Sequence, residues 1–392
     1  MTRRLSGIHA AWHFWFAVSF GGESGLRKLG LCGIHPLTQR YSANLNLENI
    51  VKVAPKITLV VGNGFSMSFG FHIGLMETWN TQSFLGWDIK SPTSEALLID
   101  LLPNLKKLKE SLTDEDDFKI FEYLQKKEYC EEVGIDQDQC FVEARHYLTI
   151  AFSHLTVEQR NKFDTEWSWY KWLKAHRENI VGGLTLNYDL LLENCLDRLS
   201  LPFDSCQANG HGNGITLCKP HGSVDFEVIG IKCPVSYPLK GLIDLNDMPI
   251  YKLDVSDLFY PRTQPLCIVP NERNKYQSFQ WVEAASTKFK AALKDCTHCI
   301  VIGISYFECD RPEIDEIIDS IPESCEIIVA NPNPPQEMLE KLTSNPFTIW
   351  DSYKGPVDND GDLLMLKDVI TGKSLRKCFC KSGKAYQYCC SV

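Results

Sequence analysis

The sequence predicts an α/β fold: a doubly wound parallel sheet with a helical insertion and a small C-terminal metal knuckle. Three observations predict it. Short, wholly apolar runs recur along the chain, the mark of strands buried on both faces. Helical stretches separate several of them, which is the order of a parallel sheet. Glycine, asparagine or histidine follows these runs, where the chain must turn.

Lys56-Ile57-Thr58-Leu59-Val60-Val61 is the first run, and Gly62-Asn63-Gly64 stops it. From residue 94 to 177 the apolar positions take helical spacing. Ala96-Leu97-Leu98 is followed by Leu101, Leu102 and Leu105, then by Phe118, Phe121 and Leu124, then by Phe141, Ala144, Tyr147 and Leu148. With few strand signals there, the stretch reads as one helical insertion. It is expected to cover the binding site or to form an oligomer surface. Strands resume at 180–186, 215–217, 266–269, 298–302 and 326–330, with helices at 278–294 and 312–320. Residues 205–265, rich in Gly, Pro and Asp, read as loops. The main domain therefore spans 51–350. A polar linker from Asp358 leads to a cysteine-dense tail at 370–392.

At 392 residues the chain has room for roughly two domains. With 44% hydrophobic and 23% charged residues it belongs among ordinary globular proteins. Forty Lys and Arg against 50 acids leave a net charge of −10. That argues against binding nucleic acid or an anionic membrane, both of which need clustered positive charge. No apolar stretch reaches the ~18 residues that span a bilayer. Of the sixteen cysteines four lie in the tail, and most of the other twelve (Cys195, Cys267 and Cys325 among them) sit in apolar surroundings and read as small buried hydrophobes. Such usage fits a reduced, cytoplasmic compartment. Residues 1–4 are basic and 10–20 apolar, but no small-x-small cleavage site follows, so 1–50 read as a leader rather than a signal peptide.

Ligands of an open α/β sheet bind at the carboxyl ends of its strands, so the residues just after each run carry the candidate site. Gly62-Asn63-Gly64-Phe65-Ser66 can bring backbone and a helix N-terminus to a pyrophosphate, or can be a plain strand-to-helix turn. Thr185-Leu186-Asn187-Tyr188-Asp189 places polar groups after a strand, where Asn or Asp also caps helices. Lys219-Pro220-His221-Gly222-Ser223 puts a histidine in a tight turn, as a structural or a catalytic group. Gly303-Ile304-Ser305 follows the 298–302 strand, and Asn331 closes the next. Their order, each at a strand end, says more than any one of them.

That series resembles the sirtuin superfamily, whose strand-end motifs run G-A-G-x-S, T-x-N-x-D, H-G, G-x-S and a final Asn. The resemblance implies a Rossmann-like domain that uses NAD. Gly62, Asn63, Gly64 and Ser66 would line its phosphates. Asn187 and Asp189 would stand at the nicotinamide end, and His221 at the adjoining ribose. Gly303, Ser305 and Asn331 would hold the adenosine half. Asn187, His221 and Asp189 are the implied catalytic residues. The departures choose the branch. Protein-deacylating sirtuins carry a four-cysteine zinc module between the histidine and the G-x-S. Here that interval holds Cys233, Cys267, Cys296 and Cys299, with one C-x-x-C, and Cys299 opens a predicted core strand. Leu186 stands where deacylases have Gln, Asn63 where they have Ala, and Pro220 where they have Leu. The helical insertion and the missing module look like the sirtuin-like effectors of bacterial antiphage defence, which hydrolyse NAD. A non-catalytic NAD or ADP-ribose adaptor is the alternative, and an NAD-dependent deacylase a further one.

In the tail, Cys378-Phe379-Cys380 and Cys389-Cys390 flank eight residues with a Ser382-Gly383 turn. Four thiolates so close can form the tetrahedron zinc prefers, with no open position for catalysis. The segment closely resembles the SEC-C motif, a zinc knuckle that docks protein partners. Structural zinc and a protein partner, docking on the tail or activating the enzyme, are therefore expected.

Overall fold

The computed structural model describes residues 54–74, 87–112, 119–205, 214–228, 250–260, 262, 265–269, 280–308, 310–358 and 360–366. The leader at 1–50 and the tail cysteines Cys378, Cys380, Cys389 and Cys390 lie outside the described residues.

The first apolar run is β1 (Ile57–Val61), followed directly by α1 (Asn63–His72). Then come α2 (Pro103–Ser111), α3 (Lys119–Leu124), α4 (Lys127–Val133), α5 (Gln137–Asn161) and α6 (Ser168–His176). The chain returns to strand in β2 (Ile180–Thr185), then α7 (Leu191–Arg198), β3 (Phe203–Asp204), β4 (Ile215–Cys218), β5 (Gly222–Val228), β6 (Ile250–Lys252) and β7 (Pro265–Cys267). The last part alternates: α8 (Gln280–Lys294), β8 (His298–Ile302), α9 (Arg311–Asp319), β9 (Glu326–Ala330), α10 (Gln336–Lys341) and β10 (Phe347–Trp350).

Seven strands form one parallel sheet in the order β10-β9-β8-β1-β2-β4-β3. This is a Rossmann-like α/β fold, as the sequence predicts. All five residues of β1 and of β8 are buried, because helices cover both faces. Successive strand side chains point to opposite faces and so divide the core in two. Ile57, Leu59 and Val61 pack with Phe65, Trp167, Trp172 and Trp350. Val60 packs with Val301, Val329, Phe289 and Ile317 on the other face. Gly182 in β2 brings α8 close: a Cβ there would lie 3.1 Å from the Ala292 methyl.

One strand departs from the parallel expectation. Residues 265–267 pair antiparallel with β5 in a separate three-stranded sheet, β6-β5-β7. A short apolar run carries no direction of its own; here Cys267, Leu266 and Pro265 stand opposite Gly222, Ser223 and Glu227 of β5. The segment read as loops, 205–265, thus contains β5 and β6 besides β4, the strand expected at 215–217. The helices between β1 and β2 share a core (Leu105, Tyr147, Leu148, Ala151) with Tyr188, Val224 and Cys267, so they rest on this small sheet and on the loop after β2. Among the described residues, no helix is long and apolar enough to cross a membrane.

Candidate functional site

The strands of the large sheet share one direction, so the loops after β1, β2, β4, β8 and β9 leave from one edge. β1 lies centrally, and the chain winds outward from it on both sides. Such a reversal opens the crevice where sheets of this kind bind ligands.

Glycine joins two of these loops. The Gly62 N–H donates to the Ile302 carbonyl at 2.8 Å, and the Gly64 N–H to the Gly303 carbonyl at 3.0 Å. A Cβ on Gly64 would come within 2.5 Å of the Gly303 Cα, and one on Gly303 within 2.3 Å of the Gly64 Cα. Gly303 also has φ +59°. The glycines read from sequence as an approach to phosphate are thus required for the approach of one loop to the other as well. Asn63 is exposed at the start of α1, where no side chain caps the helix.

The loop after β2 locks onto α1. Ser66 Oγ donates to Asp189 Oδ2 at 2.6 Å. Asn187 Nδ2 donates to the Gly62 carbonyl at 3.1 Å and to Ser66 Oγ at 3.2 Å. Asp189 Oδ1 accepts from the Leu191 N–H at 3.0 Å, so Asp189 satisfies the start of α7 while also holding Ser66. Asn187 is 9% exposed, and its Oδ1 has no hydrogen-bond partner among the described residues. Both hydrogens of the amide are occupied, and its oxygen remains as an acceptor.

Beneath Asp189 lies a buried ion pair. Lys219 Nζ donates to the Asp189 carbonyl at 2.8 Å and to Glu193 Oε1 at 2.6 Å. Burial pushes the Glu193 carboxyl above its usual range, against the pull of Lys219.

His221 comes in from the small sheet. A Cβ at the following Gly222 would collide with the Leu266 carbonyl at 1.7 Å, so only glycine permits this turn. His221 is 8% exposed, and its Nε2 lies 3.1 Å from Glu313 Oε2 and 3.8 Å from Asp310 Oδ1. A carboxylate only accepts, so Nε2 facing Glu313 carries the proton. Burial pulls the His221 pKa down, but Glu313, Asp310 and the Leu186 carbonyl outweigh it, and the net shift is upward. The histidine is therefore held toward its charged form.

On the β8 side, the Gly303 N–H donates to the Ala330 carbonyl at 2.9 Å, and Asn331 Nδ2 to the Ile304 carbonyl at 2.9 Å. Asn331 thereby ties the loop after β9 to the loop after β8. Ser305 is exposed beside them.

No family model matches the chain, and no curated relative does. Among solved structures it is similar to one described as "Structural Basis for the Mechanism and Regulation of Sir2 Enzymes". The identity is 12% over 77% of this chain and 89% of that one, with a TM-score of 0.32. It is also similar to one described as "Sir2-p53 peptide-NAD+", at 12% identity over 76% of this chain and 88% of that one, with a TM-score of 0.30. Both likenesses are distant, and the site stands on its own geometry.

The fold brings Gly62, Gly64, Ser66, Asn187, Asp189 and Gly303 into one hydrogen-bonded or directly packed group. His221 is bonded instead to α9, through Glu313. Sequence reasoning missed Glu313, Asp310 and the Lys219–Glu193 pair. Glu313 was visible only as an acid at the start of a helix, and nothing in the sequence aims it at a histidine 92 positions away. Among the described residues no group of three His, Cys, Asp or Glu side chains is arranged to hold a metal ion. Of the C-x-x-C pair, Cys299 is fully buried in β8, and Cys296 Sγ lies 3.3 Å from Cys325 Sγ.

Proposed function

We propose that the chain is a sirtuin-like NAD+ hydrolase that cleaves the bond between nicotinamide and ribose. The observation that carries the reading is the anchored Asn187 amide: Ser66 and Gly62 fix its nitrogen, which leaves Oδ1 to accept a hydrogen bond at the strand-end crevice. The strand-end sequence motifs supply the substrate.

Cleavage breaks the C1′–N bond, and its electron pair leaves with neutral nicotinamide. Positive charge grows on the ribose until water forms the new C1′–O bond, giving ADP-ribose and one proton. Asn187 Oδ1 orients that water or a ribose hydroxyl without being ionised. Asp189, held by Ser66 and the α7 amide, sets a negative charge beside the growing positive one. His221, backed by Glu313, takes the proton. Gly62, Asn63, Gly64 and the start of α1 face the phosphates. Gly303, Ser305 and Asn331 form the adenosine end. The helices between β1 and β2 cover the site or form an oligomer surface, and supply no reacting group. A role in antiphage defence, and a zinc knuckle that docks a partner, rest on the sequence resemblances.

The test separates turnover from affinity. Asn187→Ala and His221→Ala should each lose at least ~100-fold in turnover, Asn187 because misplacing a reactant costs on the order of 10² and His221 because positioned acid–base groups contribute ~10²–10⁴. The dissociation constant for NAD, measured by calorimetry, should change far less. Variants that bind NAD as the wild type does and hydrolyse it at the wild-type rate would refute these assignments. Binding without turnover in the wild type would make the chain an adaptor.

A further inference from the structure

Glu313 lies in the first turn of α9, where an acid is ordinary: it meets the positive end of the helix dipole. An exposed carboxylate would do that equally well. Glu313 is instead 7% exposed, and taking a carboxylate out of water is costly unless a partner of suitable geometry repays it. The partner is His221 Nε2 at 3.1 Å, itself buried, with Asp310 Oδ1 behind at 3.8 Å. Both acids come from the loop and helix that follow β8, while the histidine comes from the turn before β5. The contact thus joins the large sheet to the small one.

We infer that Glu313 is the positioning residue for His221, fixing which ring nitrogen bears the proton and where the imidazole faces, with Asp310 as a second, weaker charge. This rests on the hydrolase reading above, in which His221 is the proton acceptor. A carboxylate that only accepts holds the Nε2–H toward itself and stabilises the cation that forms when the ring gains a proton. The titratable groups facing the ring are Glu313 and Asp310 from the α9 side and Tyr188, whose ring centre is 6.4 Å away, from the β2 side. Cys218 of β4 lies in the field of Glu313 and of Lys290 on α8, and burial pushes its thiol well up, so it stays neutral. The carboxylates therefore dominate. Because His221 must be neutral to accept a proton, its upward shift moves the acid limb of the rate profile to higher pH.

The test titrates His221 in the full-length chain by NMR of its ring signals, in the wild type, Glu313→Gln and Glu313→Asp, beside pH profiles of NAD turnover. Glutamine keeps an acceptor and removes the charge. The wild-type midpoint should lie above ~6.5. Glu313→Gln should bring the midpoint down, move the acid limb of kcat the same way and lower plateau kcat roughly tenfold or more, with KM for NAD little changed. Glu313→Asp should restore part of each. A His221 midpoint that is the same in wild type and Glu313→Gln would overturn the proposal, as would a loss of rate with an unmoved pH profile. If the wild type releases no nicotinamide, the hydrolase reading fails, and the NMR titration still decides whether Glu313 governs the ring.

Discussion

Replacing Gly303 with alanine probes the contact on which the crevice is built. Two costs add. At φ +59° a Cβ costs ~1–2 kcal/mol in the left-handed region. That Cβ would also lie 2.3–2.7 Å from the Cα, C and N of Gly64, so one loop must shift; overpacking of this kind costs ~1–3 kcal/mol. The total is roughly 2–5 kcal/mol. Gly74→Ala is the matched control: φ is +70°, but no heavy atom of the described residues lies within 4 Å of the new methyl, so only the backbone cost of ~1–2 kcal/mol applies. Thermal and urea denaturation of the two variants measure the difference directly. At ~2–4 °C per kcal/mol for a domain of this size class, Gly303→Ala should melt several degrees below Gly74→Ala. Displacing the Gly62–Gly64 loop should also weaken NAD binding in the protein that remains folded. Equal stability of the two variants would refute the reasoning.

Lys219→Met should destabilise by ~3–5 kcal/mol, because it leaves the Glu193 carboxylate buried without its cation. Adding Glu193→Leu should recover much of the loss in a urea titration, and an equally unstable double variant would show that the pair is not coupled. Since the folded pKa of His221 is raised above its unfolded ~6.5, its stabilising contribution is full below pH ~6.5 and is lost as pH rises through the folded value. The unfolding free energy should therefore fall over that window in the wild type and fall less in Glu313→Gln. Metal analysis of the full-length chain should find one zinc, lost in the Cys378→Ser, Cys389→Ser variant with little change in the main melting transition.

The central strands were legible because a parallel strand buried on both faces is apolar at most positions, as β1, β8 and β9 are apart from Thr58, His298 and Glu326. β10 was not: Phe-Thr-Ile-Trp is short, lies at the sheet edge and has only half of its residues buried. β5 was obscured for the opposite reason. Its Asp225 and Glu227 are buried, so the segment looks like polar loop in sequence, yet Lys252 and Arg262 pair with those acids in the fold. In the site, Asn187, Asp189 and His221 could be found because each directly follows a strand. Glu313 and Glu193 could not, since their significance comes from partners 92 and 26 positions away. Local pattern places a residue at a strand end; only the packing of separate loops reveals what it touches.

In the proposed reaction water, and not an acylated protein, receives the ADP-ribosyl group. Purified full-length chain should be mixed with NAD alone and with NAD plus an acylated peptide, and the products separated by chromatography. Nicotinamide and ADP-ribose should be released equally in both mixtures, and their release should be abolished in Asn187→Ala. Nicotinamide that appears only when the peptide is present, or does not appear at all, would contradict it.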